Sequence, residues 1–134
     1  LFPFKFTKEP FFLNENLEMS QTHNKNTILE FPMPTLSNLN TPIWHTMGFF
    51  FGMNYLKKML KKFLEKKQNF FYLMHPADFL DKSDLNFSNK HSLERLDKFN
   101  INEKIKYIEE IFEIITDKGF VGEKIKNIAN DYRK

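Results

Sequence analysis

The chain has no cysteine. That excludes disulfide bridges, thiolate metal sites and a cysteine nucleophile. Small apolar residues are nearly missing too. Val121 is the one valine, and Ala77 and Ala129 are the two alanines. Any core must therefore be filled by Phe, Ile, Leu and Met. The 17 phenylalanines among 134 residues make that core bulky and aromatic, a composition that a disordered chain does not carry. A strong excess of one charge is lacking as well. Against 17 acidic residues stand 20 basic ones, and the net charge of +3 falls short of the dense basic surface of a dedicated nucleic-acid binder. No apolar run is long enough for a membrane span, because Gly48 and His45 interrupt the strongest one.

What is present reads as alternating elements. Residues 1–27 look irregular, broken by Pro3 and Pro10. Ile28–Met33 (ILEFPM) reads as a short strand that Pro32 and Pro34 bring to an end. A loop over 35–48 follows. The spacing of Leu56, Met59, Leu60, Phe63 and Leu64 then predicts a helix over 53–67, with Lys57, Lys58, Lys61 and Lys62 on its outer face. Phe70–His75 (FFYLMH) is a continuous apolar run, which suits a strand covered on both faces. A polar loop over 77–92 carries Asp78, Asp81 and Asp84. Their spacing lacks the alternate ligands and central glycine of a calcium loop, so turn and cap chemistry is expected there. A short helix is expected over 93–99. A longer one opens at Asn100, with Glu103 completing a capping box. Its expected inner stripe is Ile101, Ile105, Ile108, Phe112 and Ile115, and Gly119 stands at its end. Phe120–Val121 is a minimal strand candidate, and Ile125–Tyr132 a final helix. Strand–helix alternation of this kind argues for an α/β fold with a parallel sheet, although three strands barely make one.

The chemistry concentrates in Phe70-Phe71-Tyr72-Leu73-Met74-His75-Pro76-Ala77-Asp78-Phe79. A histidine at the carboxyl end of a buried strand lies where α/β folds place ligand clefts. Histidine titrates near neutrality and serves as general acid or base. FYLMHPADF resembles the last catalytic motif of the NodB-homology polysaccharide deacetylases (carbohydrate esterase family 4), an apolar strand ending in His-Pro with an acidic residue shortly after. ILEFPMPTL resembles that family's Glu-apolar-Pro strand. IEEIFEIITDKGF resembles its C-terminal helix and Gly-Phe exit.

The resemblance implies the C-terminal part of a distorted (β/α) barrel, incomplete in this chain, so that residues 1–134 form the C-terminal portion of one deacetylase-like domain. It implies a metal-dependent hydrolase that removes N-acetyl groups from a polysaccharide or peptidoglycan. His75 matches the general acid and Glu30 its acidic partner. Tyr72 stands where the family often has the leucine that lines the acetate-methyl pocket, and Leu73 is the next candidate wall. Trp44 either faces a sugar or anchors its own loop. The implied divalent metal, zinc in many members, is held in the family by one aspartate of an Asp-Asp pair, whose other member is the base, and by a His-x-x-x-His pair. Neither pair occurs here, since the histidines are His23, His45, His75 and His91. The expectation is that the metal-site half lies in an N-terminal segment or a partner chain and that these residues hold no metal. The competing reading is a non-catalytic carbohydrate-binding or structural module. In either case the expected partner is an N-acetylated glycan and not a nucleic acid. The lysine face of the 53–67 helix reads as the solvated exterior of a core helix.

Overall fold

The computed structural model describes residues 9–20, 23–36, 41–80, 84 and 98–133. Among them the chain is mixed α/β, with four α-helices and two small antiparallel sheets. Strands β1 (Phe11–Leu13), β2 (Met19–Ser20) and β3 (Ile28–Glu30) form one sheet in the order β2-β1-β3. Strands β4 (Thr35–Leu36) and β5 (Thr41–Pro42) form the other. Helices α1 (His45–Phe51), α2 (Met53–Leu64), α3 (Ile101–Asp117) and α4 (Ile125–Tyr132) follow, with a 3-10 turn at Pro76–Phe79 between α2 and α3.

The first sheet corrects the expectation of an irregular start. Asn14 makes the β1–β2 hairpin. Its side-chain carbonyl accepts the N–H groups of Asn16 and Glu18, both at 2.9 Å, and its own N–H donates to the Glu18 carbonyl. An Asx-type turn of this sort replaces the ladder bonds that the tight bend removes. β3 ends before Pro32, as the prolines require. The second sheet and α1 occupy the region expected to be loop.

The parallel sheet expected from the alternation is not seen among the described residues. Every strand pair among the described residues is antiparallel. Residues 70–75 join no ladder. Phe70 packs edge-on against Phe63 and Phe120 at 5.4 and 5.5 Å between ring centroids, and the Leu73 carbonyl accepts the His45 N–H. The apolar run is half-buried here and unpaired. Phe120 likewise lies against the core while Val121 is almost fully exposed, so neither forms the minimal strand. The helix expected over 93–99 lies largely outside the described residues.

The core is built by α2. Leu56, Leu60, Phe63 and Leu64 are buried, and Leu36, Ile43, Met53 and Ile111 close around them. α3 opens with the capping box of Asn100 and Glu103, each side chain accepting the other's N–H at 3.0 and 2.9 Å. It closes with a Schellman motif. The Gly119 N–H donates to the Thr116 carbonyl and the Phe120 N–H to the Ile115 carbonyl, with Gly119 at φ +82°. A side chain at that φ is strained, so Gly119→Ala is expected to cost roughly 1 kcal/mol in urea unfolding. The face of α3 differs from expectation. Lys104 and Ile111 are buried while Ile105 and Phe112 are exposed, so the helix is turned toward the 104–111 side. Lys57 of α2 and Glu110 of α3 bridge the pair at 2.8 Å, and that hydrogen bond holds the Glu110 carboxyl below its usual range.

Candidate functional site

Two short segments converge where α1 begins. The 43–46 segment arrives from β5, and the 72–78 segment arrives from the unladdered run. The His45 N–H donates to the Leu73 carbonyl at 3.0 Å, and His45 Nδ1 lies 3.0 Å from Tyr72 Oη. Asp78 joins both segments from beneath. Its carboxylate accepts the Thr46 hydroxyl at 2.9 and 3.2 Å and the His75 backbone N–H at 2.7 Å. The Asp78 N–H returns to the His75 carbonyl at 2.9 Å. Pro76 suits the first turn position, where no N–H is needed. Asp78 is thus the cap of the turn that presents His75, as its place after His-Pro suggests.

His45 and Asp78 are fully buried, whereas His75 is exposed. The Trp44 ring stands edge-on to the His75 ring, with centroids 6.1 Å apart. The turn is held from the other side by α3. Lys104, also buried, donates from Nζ to the Leu80 carbonyl, and its ammonium sits 5.7 Å from the centroid of the Phe49 ring. A buried lysine needs such partners, because an unpaired ammonium is costly away from water.

Burial lowers the His45 pKa from 6.5, and the Asp78 carboxylate opposes that shift more weakly. Burial and the same carboxylate push the Tyr72 phenol well above its usual range. His45 is therefore neutral in the folded chain near pH 7. The unfolded chain takes up a proton at about the ordinary 6.5 and the folded chain only at lower pH. Stability is expected to be complete above pH 6.5 and to fall as the pH drops from there through the lowered folded value. Urea unfolding of His45→Gln beside the parent should show a smaller fall across that window. An equal fall in both would assign the titration to another group.

Of the residues expected at a site, Trp44 stands against the His75 ring, while Tyr72 and Leu73 precede His75 on the same segment and are both bonded to His45. Glu30 does not join them. It is exposed on β3, paired in register with Phe11, and no hydrogen bond links it to His75 among the described residues. Trp44 is half-buried, with its indole Nε1 buried and without a partner among the described residues. Sequence reasoning missed the inward role of His45, Thr46 and Lys104. For His45 the available signal was its position between the apolar residues Ile43 and Phe49. Lys104 carried none, because its spacing is that of a solvated face.

No family model, curated protein or solved structure matches this chain. Among the described residues no three carboxylate or imidazole groups come together as a metal site would need. These residues do not fit the divalent metal that the resemblance implies, and no step below runs through it. What they can do is present one imidazole to solvent from a backbone that is hydrogen-bonded on both sides of the turn. They also shield a second imidazole from protons.

Proposed function

We propose that this chain supplies the proton-donating half of a hydrolase that removes N-acetyl groups from a sugar polymer, as the C-terminal part of an incomplete (β/α) barrel. His75 is the general acid that protonates the departing amine. The observation that carries the reading is the exposed His75 on a turn clamped by the buried carboxylate of Asp78. A proton donor must reach its acceptor at hydrogen-bond distance, so a fixed backbone beneath a free ring is the useful combination. Trp44 limits the ring's swing on one side. Tyr72 and Leu73 lie just behind it on the same segment and form the nearest wall for an acetyl methyl. Glu30 is the acid that the family resemblance pairs with His75, and substrate or further chain would have to bring the two together. The metal that activates the water, zinc in many family members, would be held by residues other than those described here.

The test is release of acetate from an N-acetylated glycan by the intact protein that contains this chain. Acetate release that depends on His75 supports the reading. Glycan binding without any release would replace it with the non-catalytic carbohydrate-binding module, and neither binding nor release would end both.

A further inference from the structure

The α1–α2 corner carries a feature that the proton-donor reading does not use. Gly52, at φ +95°, ends α1 and starts α2, and its N–H returns to the Gly48 carbonyl at 2.9 Å. The sharp change of direction puts the end of α1 at a protruding corner. Phe51 is 62% exposed there, Phe50 is 48% exposed, and Tyr55 on the first turn of α2 is 45% exposed. The Phe51 and Tyr55 rings lie 6.0 Å apart and form one apolar tip. Adjacent exposed aromatics of this size on a small chain point to a contact surface.

From that tip a row of cations runs along the outside of α2. Lys58, Lys61 and Lys62 are all exposed, and with Asn54, Lys57 and Glu65 they line one open hollow of about 650 Å³. Lys57 is already neutralised by Glu110, so the free charge is that of the other three lysines with Glu65 at the far end. Aromatic tip and lysine row share one side of the molecule because the opposite stripe of α2, Leu56, Leu60, Phe63 and Leu64, is consumed by the core.

We infer that this corner docks the protein on an anionic lipid bilayer, with Phe51 and Tyr55 entering the headgroup region and Lys58, Lys61 and Lys62 lying over the acidic headgroups. The charge complementarity selects the occupant. Lysines near an anionic surface are each worth about fivefold in binding, and aromatic side chains suit the boundary between headgroup and acyl chain. The helix does not lie half-sunk like an interfacial amphipathic helix, since its apolar stripe faces inward; only the corner enters. A single-stranded nucleic acid fits less well. It asks for aromatic platforms interleaved with the cations along one groove, whereas here the rings stand together at one end. No helix among the described residues is long and apolar enough to cross the bilayer, so the contact is peripheral.

The experiment is co-sedimentation of the 134-residue chain with phosphatidylcholine vesicles, with and without phosphatidylserine, across a salt titration. Binding is expected only to the phosphatidylserine vesicles, and salt should weaken it. K58Q/K61Q/K62Q should lose about a hundredfold in affinity, and Phe51→Ser about tenfold. All these side chains are exposed, so circular dichroism should show both variants folded. The wild-type salt titration stands even if one variant is not. Equal binding to both kinds of vesicle, absence of binding, or unchanged binding of the triple variant would overturn the inference. Binding to polyuridylate without binding to vesicles would overturn it in favour of nucleic acid.

Discussion

Replacing His75 with alanine is expected to lower turnover on an N-acetylated glycan by about 10²- to 10⁴-fold, the usual worth of a positioned general acid. The fold should hardly notice. The ring is exposed, and the groups of residue 75 that the turn uses are its N–H, donated to Asp78, and its carbonyl, which accepts the Asp78 N–H. Alanine keeps both. The loss should therefore fall on kcat and leave KM nearly constant, the signature of an interaction made only in the transition state. Metal content of the intact protein should be unchanged, because proton donation and not ligation is the assigned role. Loss of metal in the alanine variant would mean that His75 is a ligand, and unchanged turnover would remove it from the chemistry altogether. His75→Gln separates the roles further: it can donate a hydrogen bond but cannot give up a proton, so it should be as slow as the alanine variant.

The geometry behind that expectation was legible in part. His-Pro followed by Asp at the second position told of a capped turn, because a carboxylate three residues after the cap position can reach back to its N–H, and Asp78 does so at 2.7 Å. Helix ends were legible for the same reason: Asn100, Glu103 and Gly119 act on their nearest neighbours, and local chemistry survives any tertiary context. Of the strands only β3 was legible, since Ile28–Glu30 lies within the strand expected over 28–33. The others, at two or three residues each, are too short for alternation to show. Phe70–His75 misled in the opposite direction. Its apolarity reports only partial cover, half-buried over Phe70–Met74, and the rings of Phe63, Phe120 and His45 pack against it with no ladder involved. The polar half of the site stayed hidden because burial of Lys104 depends on a carbonyl, that of Leu80, that no pattern in α3 announces.

The same lysine explains why the α3 face was misread at Ile105 and Phe112, which are exposed although Ile115 of the same expected stripe packs on the core, and the two stripes make opposite predictions. The apolar positions of α3 fit two stripes, one through Ile105 and Phe112, the other through Tyr107, Ile111 and Ile114. The first looks better in sequence because the second runs through Lys104. In the structure Ile111 is fully buried against the α2 core and Ile105 is 43% exposed. Ile111→Ala is therefore expected to destabilise the chain by about 2–5 kcal/mol. Ile105→Ala should stay within about 0.5 kcal/mol. Denaturant midpoints at unchanged m would show the contrast directly, as loss of native packing without a change in the surface exposed on unfolding. Equal costs at the two positions would mean that the Ile105 face is covered as well, and a reversal would restore the stripe through Ile105 and Phe112. A reversal would also take Lys104 off the Pro76–Phe79 turn, and the rigid backing assigned to His75 would go with it.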